Sequence, residues 1–155
     1  MSRAPFQVLI LPFRRTSDGE IEFGIFHRTD DGTWQGLAGG GETGETVLQA
    51  ARREALEEGG IPPTTPFYAL KTRDTVPVYG FRAHLEWPPD TYVIPQYYFA
   101  GDLTDVDVVL SDEHTEMRWS SFREAHKLLR YDGNKTALRE LVERLKRGDL
   151  PQPAS

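Results

Sequence analysis

The stretch Gly39–Ile61, GGGETGETVLQAARREALEEGGI, decides how this chain is read. Its glycines predict a loop directly before a helix, and the residues that follow predict a sharp helix start. Thr46 and Gln49 have the spacing of a capping box, in which two side chains reciprocally satisfy backbone N–H groups. Gly59-Gly60 and then Pro62-Pro63 end the helix, because glycine takes the left-handed closing turn and proline cannot continue the ladder. Val47, Leu48, Ala51 and Ala55 give an apolar stripe whose alanines allow close approach to a sheet. Glu54, Glu57 and Glu58 share a face of this helix, with Arg53 beside them. Like charges so placed cost roughly 0.2–0.5 kcal/mol per pair on an exposed helix. A bound divalent cation would offset that cost, whereas a solvated, salt-bridged face merely tolerates it.

Working outward, Phe6 to Phe13 is an apolar run between prolines and predicts a buried strand. Ser17-Asp18-Gly19 predicts a turn and Ile21 to His27 the second strand of a hairpin, which Asp30-Asp31-Gly32 breaks. Trp34 to Ala38 reads as a short strand leading into the glycines. The Tyr-, Phe- and Val-rich segments 65–80 and 92–103 predict two or three strands around a loop at 82–90. Thr115 to Trp119 predicts another strand, and Ser121 to Leu129 a helix. Lys135 to Lys146 predicts an amphipathic helix with Leu138, Leu141, Val142 and Leu145 on one side. One domain over residues 3–148 follows, with 149–155 as a flexible tail. Helices so separated along the chain should cover both faces of a mixed sheet, an α/β class.

With 155 residues the chain can bury a full core in one domain. It has no cysteine, which excludes disulfides and thiolate metal sites, and a cytoplasmic location is the default expectation. No apolar stretch has the length of a membrane span, and the N-terminus reads as a first strand. The net charge of −6 opposes general binding to nucleic acid or to a membrane surface. A small phosphorylated ligand remains compatible with it, held by local arginines or a bound cation.

Gly39, Glu45, Arg53, Glu54, Ala55, Glu57, Glu58, Gly60 and Ile61 together match the spacing of the Nudix box, and the chain resembles the Nudix hydrolases. The resemblance implies the Nudix fold, an α/β/α sandwich around a mixed β-sheet. It also implies hydrolysis of a nucleoside diphosphate linked to another moiety, with Mg²⁺ or Mn²⁺. Glutamates on a rigid helix suit that chemistry, because a diphosphate repels an attacking water until cations neutralise its oxygens. The resemblance points to Glu54 and Glu58 as metal ligands, with Glu57 close behind, a backbone carbonyl near Gly39 adding another. Arg53 would orient a carboxylate, through Glu57 or Glu45. Glu113, in the segment SDEHTEMRW, resembles the family's further carboxylate, a base or metal contact, with Glu116 second.

Other segments resemble the dATP and dihydroneopterin triphosphate pyrophosphohydrolases: Arg28, Trp34-Gln35 before the glycines, and Tyr131 to Leu138, the last of which equally resembles the diadenosine tetraphosphate hydrolases. A nucleoside or pterin triphosphate is the substrate this implies. Dinucleoside polyphosphates of the diadenosine tetraphosphate type and nucleotide sugars are the alternatives. Arg28 is a candidate phosphate fork, and Trp34 and Tyr97 are candidate aromatic contacts for a base. Arg3, Asn134 and Lys135 are further candidates for substrate binding. The four histidines show no ligand spacing. Two rivals of another kind are a non-catalytic nucleotide-binding regulatory protein on this fold and a calcium-binding structural domain. The first should have lost box carboxylates, and the second lacks EF-hand spacing. Oligomeric state is open between monomer and homodimer.

Overall fold

The computed structural model describes residues 2–155. A seven-stranded mixed sheet forms its middle layer. Its strands are β1 (Arg3–Arg15), β2 (Ile21–Arg28), β3 (Trp34–Gln35), β4 (Leu37–Glu42), β5 (Phe67–Pro77), β6 (Val93–Asp102) and β7 (His114–Ser120). The helices are α1 (Val47–Gly59), α2 (Phe122–Leu128) and α3 (Asp132–Arg147). β1 runs parallel to β6 along one edge and antiparallel to β2 and β4 along the other. β5 pairs with β6, and β3 and β7 with β2.

The period-two alternation of β1 divides its side chains between two cores. Val8 and Ile10 join Phe26, Leu37, Ala51, Ala55 and Phe99 beneath α1. Leu9, Leu11 and Phe13 join Phe23, Ile25, Leu138 and Leu141 beneath α2 and α3. The sandwich expected from the sequence is therefore present, with α1 alone on one face. Ala50, Ala51 and Ala55 are fully buried, so α1 lies close against the sheet. Its capping box is formed, and Gly60 closes the helix at φ +63°.

Four expectations are corrected. The glycines Gly39–Gly41 are strand, paired with β1 through Gly39–Val8 and Gly40–Gln7. The predicted strand 34–38 is interrupted at Gly36, giving β3 and β4. Within the segment expected as loop, residues 82–86 form a 3₁₀ turn, and the Trp87 indole donates to the Arg3 carbonyl at 2.9 Å. α3 starts at Asp132, three residues before the expected start, which places Asn134 in its first turn. In the segment 149–155, Leu150 and Ala154 touch the domain. Ala154 N–H donates to the Phe67 carbonyl at 2.7 Å, and Leu150 packs on the α3 core.

Candidate functional site

The box carboxylates are organised by Arg53. Its Nε donates to Glu45 at 2.7 Å, and its two terminal nitrogens reach Glu54 at 2.9 Å, Glu57 at 3.3 Å and the Gly40 carbonyl at 2.8 Å. One guanidinium thus ties α1, the loop before it and β4 together. Such a fork needs arginine, since an ammonium cannot present several donors in one plane. Its hydrogen bonds to Glu45 raise the Arg53 pKa above its ordinary value and lower that of Glu45.

Oxygens of Glu54, Glu57 and Glu58 lie within 4.8 Å of one another. Glu54 and Glu58 are buried and Glu57 is exposed. Burial pushes the Glu54 carboxyl up to about 7, overcoming the opposing pull of Arg53. The carboxylate lies where a side chain on Gly39 would be, so a Cβ there would force it to move. Three carboxylates converging in this way, two of them buried and only Glu54 and Glu57 bonded to Arg53, form a donor set that suits a hard divalent cation.

A second acidic contact comes from the segment before β7. Ser111 Oγ donates to Glu58 Oε2 at 2.5 Å and accepts from the Glu113 N–H at 3.3 Å. Burial first, and then the neighbouring Glu58 charge, raise the Glu113 carboxyl above the usual carboxylate range. Glu116, the second candidate, pairs instead with Arg118 at 3.7 Å on the exposed side of β7. His114 is buried 3.9 Å from Glu58, and burial followed by the Arg28 charge lowers its pKa. Ser111 was not singled out from the sequence, where only its place before an acidic pair marks it.

These groups border a cavity of about 1000 Å³ on the α3 face of the sheet. Arg28, Gly39, Glu54, Glu113 and Asn134 line it. Arg28 forks onto Asp30 at 2.8 and 2.9 Å and lies 4.0 Å from Glu113. Asn134, almost fully buried, accepts from the Gly36 N–H at 3.0 Å and donates to the Tyr98 hydroxyl at 3.5 Å. That hydroxyl donates to Asp74 at 2.8 Å, and Gln96 donates to Asp74 at 3.1 Å. Asp74 and Gln96 were not predicted as site residues, because the register joining β5, β6 and α3 is not readable locally.

Trp34 and Tyr97 are not among the residues that line the cavity. Trp34 stacks between His27 at 4.9 Å and the Arg118 guanidinium at 4.8 Å. Alternation along β6 turns Tyr97 to the α1 face, edge-on to Phe6 at 6.3 Å, while Tyr98 faces the cavity side.

Comparison with known proteins agrees with this geometry. Residues 9–145 match the family model described as NUDIX domain. A solved structure described as a NUDIX hydrolase from Listeria monocytogenes is 42% identical, with a TM-score of 0.86, over 98% of this chain and 100% of that one. The rat bis(5'-nucleosyl)-tetraphosphatase is 30% identical over 77% of this chain and 78% of its own length. The zebrafish oxidized purine nucleoside triphosphate hydrolase is 35% identical over 53% of this chain. The chain spans about half the length of the zebrafish protein and of two mitochondrial Nudix hydrolases from Arabidopsis thaliana (46%, 51% and 50%). Among the described residues, no helix is long and apolar enough to cross a membrane.

Proposed function

The chain belongs to the Nudix family, and from that premise we propose that it hydrolyses a nucleoside diphosphate linked to another moiety, with Mg²⁺ or Mn²⁺. The substrate class we favour is a nucleoside or pterin triphosphate, cleaved to a monophosphate and diphosphate. The observation that carries this reading is the Glu54, Glu57 and Glu58 oxygens within 4.8 Å, beside a cavity large enough for a nucleotide.

Glu54, Glu57 and Glu58, with a backbone carbonyl at Gly39, are the groups that would hold the cation. Bound there, a divalent cation would supply positive charge to offset the negative charge of the phosphate oxygens. The protein's own contributions are distinct. Arg53 holds Glu54 in place, and Ser111 holds Glu58. Glu113, with its carboxyl raised by burial, is assigned to take a proton from the attacking water, since a base works best when its pKa approaches the working pH. Arg28 is assigned to a substrate phosphate, and the wall around Asn134 to the base.

A dinucleoside polyphosphate is the second reading, favoured by the rat relative, which the chain covers over more than three quarters of its length. Incubation with triphosphates, dinucleoside polyphosphates and nucleotide sugars in oxygen-18 water, with and without Mg²⁺, tests both. Label in a mononucleotide or diphosphate product from triphosphates supports the first. Turnover restricted to dinucleoside polyphosphates favours the second. Absence of metal-dependent turnover in wild type and in Glu57→Gln and Glu58→Gln alike would leave a nucleotide-binding regulatory protein.

A further inference from the structure

We propose that Arg3, at the start of β1, is a phosphate-binding residue of the cavity, positioned to grip the anionic chain of the substrate beside the carboxylate cluster. This rests on the reading of the cavity as a phosphorylated-ligand site and gives Arg3, a substrate-binding candidate from the sequence, a defined part in it. Two arginines line the cavity, Arg3 and Arg28. Arg28 is already paired with the exposed Asp30 and has Glu113 nearby. Arg3 takes part in none of the ion pairs among the described residues; those around the box engage Arg53. Its side chain makes one hydrogen bond, NH2 to Gln7 Oε1 at 2.8 Å, and its Nε is buried without a partner.

The surroundings hold this guanidinium in place, with Glu54 near enough to act on its charge but not paired with it. The Phe81 ring lies 4.9 Å from it, the Trp87 indole donates to the Arg3 carbonyl at 2.9 Å, and Gln7 is braced in turn by Gln96. The space it fills is one that a side chain on Gly40 would occupy. Successive glycines of β4 therefore admit two functional groups, the Glu54 carboxylate at Gly39 and the Arg3 guanidinium at Gly40. A buried cation is costly unless paired, and an unpaired guanidinium offers a planar fork that matches phosphate oxygens. With a cation among the glutamates and Arg3 close by, a phosphate chain would meet positive charge on two sides.

The test uses the full-length protein, with inorganic tripolyphosphate in Ca²⁺ as the probe and titration calorimetry as the readout. Arg3→Gln is expected to weaken tripolyphosphate binding at least about tenfold while leaving Mn²⁺ affinity, read by electron paramagnetic resonance, within about twofold. Arg3→Lys, which keeps the charge and loses the fork, should fall between the two. Nucleotide kinetics should show the loss mainly in KM, and more for triphosphate than for diphosphate substrates. Equal tripolyphosphate affinity in wild type and in Arg3→Gln would overturn the assignment. Should Arg3→Gln unfold, an Arg3→Lys protein that binds tripolyphosphate as tightly as wild type would overturn it equally. A wild-type protein that binds tripolyphosphate through Arg3 yet hydrolyses no nucleotide would sink the proposed activity and leave this site standing.

Discussion

The Glu54 carboxylate fills the space that any side chain on Gly39 would need. A helix residue and a strand residue are thereby locked into one steric relationship. Gly39→Ala should displace Glu54 and dismantle the cation site while the fold survives. Overpacking of this kind costs about 1–3 kcal/mol. The expected outcome is a Mn²⁺ affinity at least about tenfold lower, with a melting temperature several degrees lower. Unchanged cation affinity in the folded variant would refute the steric argument.

Arg53 is predicted to matter for stability as well as for activity. Its removal leaves Glu45 and Glu54, with side chains only 14% and 12% exposed, without their cation. Arg53→Ala is expected to lose about 2–4 kcal/mol in urea denaturation. Arg53→Lys should recover only part of this, because one ammonium cannot serve Glu45, Glu54 and Gly40 at once.

The raised Glu54 carboxyl predicts a pH dependence of defined sign. With a folded-state pKa of about 7 against an ordinary 4.5, the folded protein binds the proton more tightly than the unfolded chain. Cation-free protein should therefore lose stability as pH rises from 4.5 to 7, by at most about 3 kcal/mol and less where solvent screens the carboxylate. Glu54→Gln should flatten this slope. Glu45 acts the other way and in a lower window, since its depressed carboxyl stabilises above its unfolded pKa and fails on acidification below it. Denaturant midpoints in EDTA at about pH 3, 5 and 7.5 distinguish the two. Cation binding should release protons near neutrality, measurable as a buffer-dependent heat.

Glu113 and Glu116 make a matched pair for mutation. Glu113 borders the cavity beside Glu58, whereas Glu116 faces solvent on β7. Glu113→Gln should lower kcat by about 10²-fold or more, the usual scale for a general base. Glu116→Gln should stay within about twofold of wild type. Equal effects of the two substitutions would remove Glu113 from the proposed role.

Asn134 is expected to act through structure. Asn134→Ala strands the Gly36 N–H in a buried place and should cost about 1–3 kcal/mol. A loss of activity that tracks the melting temperature would fit that role. A change in base preference at unchanged stability would instead indicate direct contact with the ligand.

The legible parts of this chain were those with local causes. Thr46 and Gln49 announce the start of α1, Gly60 its end, and the spacing of Glu54, Glu57 and Glu58 their common face. Gly39–Gly41 were misread as loop because glycine ordinarily weakens strands. Its reason here lies elsewhere in the chain, in Glu54, Arg3 and Phe6, which fill the vacated space. The early start of α3 was hidden in the same way. Gly133 is a poor helix former, yet only glycine leaves room there for Asp74 and the Tyr98 hydroxyl. Tyr97 and Tyr98 could be separated by alternation, but which face held the cavity depended on pairing between distant strands.

The parallel pairing of β1 with β6 sets Gln7 opposite Gln96, and those two residues form part of the cavity floor. A nascent chain halted before β6 would already contain every glutamate of the box and its capped helix, yet it would have nowhere to seat a nucleotide. Contacts so remote in sequence form slowly, since the intervening loop must be closed first. Ligand recognition by this protein should therefore wait on that pairing.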